Sequence, residues 1–259
     1  MMYASIAIVS LLASLLTFFS GFGLGTLLLP VFALFFDIET AIALTAIVHF
    51  LNNVFKFSLV HKHINKKVVL RFGLASLIFA FFGACLLEQF IEIKPLLVYS
   101  IGGKEFSITI IGLTIGVLML FFSIWEVLPY FKNLNFKENK LVIGGALSGF
   151  FGGLSGHQGA LRSAFLMKSH LSKEEFIGTG IAIACLVDIA RLSIYSTSIS
   201  KEIISENYLL LLVATMSAWI GAFSGSKLLK KTTYGFIKWF VFMFMGIISL
   251  LMISGILNK

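Results

Sequence analysis

The run with the clearest chemical character is His157-Gln158-Gly159-Ala160-Leu161-Arg162-Ser163, which follows a glycine cluster and opens a short apolar segment. A helix starting after such a break leaves its first backbone amides unpaired, and their dipole favours an anion. Arg162 adds a planar, permanently charged fork suited to anions with two or more oxygens. With Gln158, His157, Gly159 and Ser163 around it, the run is expected to bind a small oxyanion. Gly23, Gly25 and Thr26 hold matching places in an earlier glycine cluster, where Leu28 answers Arg162, and are expected to add amides without charge. Plainer roles compete: Arg162 can snorkel or pair with Glu88, Glu126 or Asp188, and His157 can cap the helix.

Two further polar sets stand inside apolar sequence. His49, Asn52, Asn53 and Lys56 follow helical spacing and share one face, as do Thr179, Asp188, Arg191 and Tyr195. A charge at mid-depth in a membrane costs at least about 2.5 kcal/mol, so such residues call for a function. Asn52, Asn53 and Thr179 are candidates to touch the anion. His49, Lys56, Asp188, Arg191 and Tyr195 are candidates for coupling or gating, with His49 and His157 as proton carriers. Asp188 and Arg191, three apart, can also simply neutralise each other within the helix.

The elements that must position these residues follow from composition. The chain has 259 residues, 58% hydrophobic and 12% charged, against roughly a quarter charged in soluble domains. Its mean hydropathy is +1.00. Ten apolar pieces can be drawn, about 2–20, 24–36, 40–60, 68–90, 107–129, 140–154, 158–169, 174–198, 206–229 and 234–257, without the strict alternation of barrel strands. An all-α, polytopic membrane helix bundle is expected, without a soluble domain. Cys85 and Cys185 lie inside apolar runs and predict neither a disulfide framework nor a zinc site. The formal net charge of +8 is read as a topology signal flanking membrane spans and not as a nucleic-acid surface. Residues 1–20 lack a basic start and are read as a retained first segment.

The second, sixth and seventh pieces are short and adjoin glycine clusters, Ser20 to Gly25 and Gly152 to Gly159. Gly25 to Thr45 aligns in constant register with Gly159 to Thr179, and Phe82-Gly83-Ala84 answers Ile220-Gly221-Ala222. Paired Gly-interrupted segments in two halves point to a transporter built from internal repeats, with its site at the breaks; tight helix packing through Gly21/Gly25 and Gly152/Gly156 is the plainer account. If each break is a hairpin, the basic segments 61–71, 130–140, 168–175 and 227–238 all face the cytoplasm. The expected organisation is one transmembrane domain of two inverted repeats, 1–130 and 139–259, each with a Gly-broken helix or re-entrant hairpin, and both termini outside.

Gly21-x-Gly-x-Gly-x-Leu-Leu-Leu-Pro30 and Gly152-Gly-Leu-Ser-Gly-His-Gln-Gly-Ala-Leu-Arg-Ser-Ala-Phe-Leu166, with Thr179-Gly180 and Leu186 to Leu192 behind them, resemble the TauE/SafE sulfite-exporter family of membrane permeases. The likeness covers essentially the whole chain. Many members have a Gly-Gly-Gly-like run and a proline where this chain has His157-Gln158-Gly159 and Ala164. The resemblance implies secondary transport of small, often sulfur-containing anions, sulfite or organosulfonates, across the cytoplasmic (inner) membrane of a bacterium. Expected partners are the anion, the bilayer and a coupling proton or sodium ion, with no cofactor, no metal and no nucleic acid. A channel and a non-transporting membrane assembly protein are the alternatives. An intramembrane enzyme is disfavoured, since no His-x-x-x-His motif lies in the apolar segments, and an ATP-driven pump since no Walker motif exists.

Overall fold

A computed structural model describes residues 1–20, 24–128, 136, 138–167, 169–198, 201–228 and 235–257. Each apolar piece is a helix there: α1 Met2–Ser20, α2 Leu24–Ala33, α3 Ile38–Val60, α4 Lys66–Ile91, α5 Ile110–Val127, α6 Leu141–Ser155, α7 Gly159–Leu166, α8 Lys173–Ser198, α9 Tyr208–Leu228 and α10 Gly235–Ile253. Among the described residues, four helices are long and apolar enough to cross a membrane: Ile38–His63, Lys66–Ile91, Lys173–Thr197 and Tyr208–Lys227. With shorter apolar helices around them, the chain is a polytopic membrane helix bundle. The windows in α3 and α8 are 67% buried, against 39% in α4 and 44% in α9. So α3 and α8 form the inside, while Ile78, Phe82, Leu212 and Ile220 stay exposed on α4 and α9, as side chains facing lipid do.

Local chemistry sets the ends. Asp37 Oδ1 accepts from Thr40 N at 2.9 Å to start α3, and Thr109 Oγ1 accepts from Gly112 N at 3.1 Å to start α5. Gly156, at φ +78°, ends α6 in the left-handed region, its N–H donating to Gly152 O. The chain then reverses, so that Gly152 faces Gln158 and, two turns back, Gly144 faces Phe165. Thus α6 and α7 form an antiparallel helical hairpin, and α7, with 8 residues, spans only about 12 Å. The matching turn between α1 and α2, residues 21–23, lies outside the described residues, as does Gly23 with it.

The glycines of the second cluster have separate tasks. Gly145, Gly149 and Gly153 press on α4, where an added Cβ would stand 2.2, 2.2 and 2.0 Å from the carbonyl oxygens of Phe72, Ser76 and Ala80. Small residues every fourth position let the two backbones touch, and Ser76 Oγ donates across the contact to Gly145 O at 3.0 Å. The close-packing stripe is therefore one residue out of phase with Gly152 and Gly156, which face Gln158 and Arg191.

The main packings occur in pairs. α6 lies on α4 as α1 lies on α9, α8 on α4 as α3 on α9, and α5 touches α7 as α2 touches α10; α3 meets α8 and α5 meets α10. Contacts of Gly178 with Val60 O and His63 O, and of Asn65 N with Thr179 Oγ1, bring residues 60–65 to the start of α8 at one end of the bundle. One element departs from the sequence expectation of helix from residue 107: Leu97–Ile101 (β1) and Lys104–Ile108 (β2) pair as an antiparallel hairpin. Gly102 and Gly103, at φ +61° and +78°, supply the two positive angles a tight two-residue turn needs. Tyr99 Oη donates to Ser254 O, docking the hairpin beyond the end of α10.

Candidate functional site

Where α3 crosses α8, one carboxylate gathers the polar side chains of both. Asp188, 0% exposed, has Oδ2 2.7 Å from His49 Nδ1 and 2.8 Å from Asn53 Nδ2, which donates to it. Its Oδ1 lies 3.0 Å from the same imidazole nitrogen and 2.9 Å from Arg191 Nη2. A nitrogen held against both oxygens of a carboxylate is the proton-bearing one, which makes His49 Nδ1 a donor and leaves Nε2 free to accept. The Asp188–Arg191 pairing anticipated within the helix is present, but Asp188 also reaches across to α3. Arg191 Nη2 is a charge contact without hydrogen-bond alignment, and its Nε has no acceptor among the described residues. The guanidinium lies against Gly156, with Nη1 2.8 Å from where a Cβ would stand.

A cleft of about 510 Å³ of non-atom space, partly open to solvent, reaches this cluster along the second half of α3 and the first half of α8. Thr17 and Phe18 of α1, His49, Asn53 and Lys56 of α3, Arg162 and Ser163 of α7 and Gly180 of α8 line it. Arg162 Nη1 donates to Gln158 Oε1 at 3.0 Å, one turn back on α7. Among the described side chains its hydrogen bond is thus to a neutral amide and not to Glu88 or Asp188; the Glu126 side chain lies outside the described residues. Lys56 Nζ donates to Thr17 Oγ1 at 3.3 Å and stands 5.7 Å from the Phe18 ring centre. A second cleft, of about 540 Å³, lies by the opposite ends of the same two helices, lined by Glu39, Thr40, Leu87, Ile111 and Tyr195 among others. Asp188 and Arg191 fall between Ala184 of the first cleft and Tyr195 of the second.

The sequence candidates are divided by the fold. Arg162, Ser163, His49, Asn53 and Lys56 share the first cleft. Gln158 stands behind Arg162, Gly159 is buried at the start of α7, and α7 has no side-chain cap at its N-terminus. Gly25 abuts His49 and Thr45, and Thr26 is buried in α2. His157 turns aside: its Nδ1 lies 2.9 Å from Ser155 O, and its ring stacks on Phe122 at 5.7 Å. Asn52 accepts from Ser14 Oγ of α1 at 2.9 Å, Thr179 accepts from Asn65 N, and Tyr195 Oη donates to Gly153 O at 2.6 Å. Thr17 and Phe18 are additions from the structure. An apolar first helix with a threonine near its end carries no signal that it will stand beside a lysine 39 residues on.

A buried arginine and a buried lysine in one cleft, with no acidic side chain among its described lining, make this an anion-type site inside a membrane helix bundle. Residues 6–252 match the family model described as Sulfite exporter TauE/SafE, and the chain belongs to that family. It is a family of anion export transporters and not of enzymes. No curated protein and no solved structure matches the chain.

Proposed function

We propose that this protein carries a small sulfur-containing oxyanion, of the sulfite or organosulfonate class, across the cytoplasmic membrane of a bacterium by secondary active transport. The carrying observation is the pair of clefts that approach the His49–Asp188–Arg191 cluster from opposite ends of α3 and α8. Opening one cleft while the cluster closes the other is what alternating access requires. The anion sits at Arg162 and Ser163, and Gln158 holds the Arg162 guanidinium from behind. His49, hydrogen-bonded to Asp188 and facing the anion's cleft, is the candidate proton carrier.

Two inverted repeats, 1–130 and 139–259, explain why the packings come in exchanged pairs, such as α1 on α9 and α6 on α4. The basic segments then face the cytoplasm, and the first cleft opens there. Counterflow of labelled sulfite, sulfate and sulfonates in proteoliposomes tests the function: accelerated exchange by one of them is expected, and absence of exchange by all overturns it. A channel would pass net current without counterflow. Labelling of Ile64→Cys and Ile203→Cys from outside intact cells tests the topology. Reaction at position 64 but not at 203 contradicts the inverted arrangement.

A further inference from the structure

The buried charges of the bundle do not balance. Among the described residues, Lys56, Arg162 and Arg191 are buried cations at 3%, 8% and 2% exposure, against Asp188 as the one buried carboxylate. Asp188 already receives Arg191, His49 and Asn53. Lys56 and Arg162 line the first cleft, whose described lining has no Asp or Glu. Their recorded partners are a hydroxyl, an aromatic face and an amide, all neutral: Thr17, Phe18 and Gln158. The remaining polar lining, Ser163, Asn53 and His49, brings no negative charge of its own.

Two buried cations without an anion in one cleft are costly unless a ligand supplies the charge. We propose that the cleft selects a doubly charged anion and that Lys56 is its second cationic contact, opposite Arg162. This rests on the oxyanion reading above and adds to it a charge class and a binding residue. A monoanion would leave one cation unbalanced, and a dianion, whose removal from water is more demanding, is compensated only where two cations wait. Discrimination therefore comes from what the wrong ligand leaves unpaired.

The two contacts also differ in kind. Arg162 offers a planar fork that matches two oxygens of one sulfonate or carboxylate group, whereas Lys56 offers a compact point charge on a flexible stem. One end of the ligand is thus held by geometry and the other by charge. That arrangement accepts either a single tetrahedral or pyramidal dianion or a short molecule with an anionic group at each end. Lys56 comes from α3 and Arg162 from α7, so the ligand joins the two halves of the chain.

Matched ligand pairs separate charge from shape: sulfate with methanesulfonate, and ethane-1,2-disulfonate with ethanesulfonate. Binding of each to the full-length protein in detergent is measured at constant ionic strength, for wild type, Lys56→Gln and Lys56→Arg. In the pair that binds, the dianion should bind at least roughly tenfold more tightly to wild type. Lys56→Gln should weaken the dianion roughly a hundredfold, as for loss of one partner of a buried charge pair, and the monoanion by roughly threefold or less. Lys56→Arg, which keeps the cation, should keep the preference and guards against a folding defect in the glutamine variant. Equal affinity within both pairs, or equal weakening of both members by Lys56→Gln, overturns the inference while leaving the oxyanion site intact. Failure of all four anions to bind wild type overturns both.

Discussion

The two clefts share α3 and α8 yet differ in chemistry. The first holds Lys56 and Arg162, each buried and each with neutral partners. The second is lined mainly by Ile42, Ala43, Leu87, Ile91, Ile111 and Ile203, with Glu39 and Tyr195 as its ionisable side chains. An anion is thus attracted to one cleft and meets an acidic, mostly apolar lining in the other. The difference teaches that charge is concentrated at one end of the α3–α8 pair; in the proposed mechanism that end would bind the anion and the other would serve as a path that must not retain it. Between them Asp188 fixes Arg191, so the third cation is withheld from both.

The largest expected effect breaks the first cleft. Arg162→Ala should abolish counterflow, and Arg162→Lys should lose roughly a hundredfold, because a point charge keeps the sign but not the bidentate fork. Normal rates for Arg162→Lys would mean that Arg162 acts through its field alone. Next comes the septum. Asp188→Asn leaves Arg191 buried without its counter-ion, which costs about 3–5 kcal/mol and should appear as a lower melting temperature in detergent. A variant as stable as wild type would show that Asp188 is not the counter-ion that stabilises buried Arg191.

His49→Gln should retain anion binding while flattening the pH dependence of initial rates between about pH 5 and 8. His157→Gln should leave that dependence as it is, since His157 is occupied by Ser155 and Phe122 away from the cleft. Opposite behaviour of the two variants would exchange their roles. In the second cleft, Tyr195→Phe removes the bond to Gly153 O, worth about 1 kcal/mol. It should change the transport rate but not anion affinity measured in detergent. Smallest of all, Glu39→Gln should leave affinity unchanged; tighter binding would extend the anion's residence into that cleft.

Much of this was legible in the sequence because it is written locally. Ten runs of apolar residues became ten helices with ends within a few residues of those drawn, since a segment's length and hydropathy alone decide whether it suits the bilayer as a helix. The shared face of His49, Asn53 and Lys56 was also local, being a matter of 3.6-residue spacing. The β-hairpin at 97–108 is hidden in the apolar pattern, because Ile108 and the following apolar residues read as one continuous run. Only the turn glycines Gly102 and Gly103 signal the reversal.

What only the tertiary structure decided is which polar groups meet. His49 and Asp188 lie 139 residues apart and touch at 2.7 Å; nothing in either helix names the other, because a buried charge constrains the sign of its partner and not its position in the chain. The sequence determined that the second half has a glycine break beside Arg162. The fold decided that Gly149 packs on α4, that Gly156 makes room for Arg191, and that His157 stacks on Phe122 and leaves the cleft to Ser163. Spacing fixes which way a side chain leaves its own helix, whereas the neighbour it finds there depends on how the other helices cross, and that is settled by the close packing of the whole bundle.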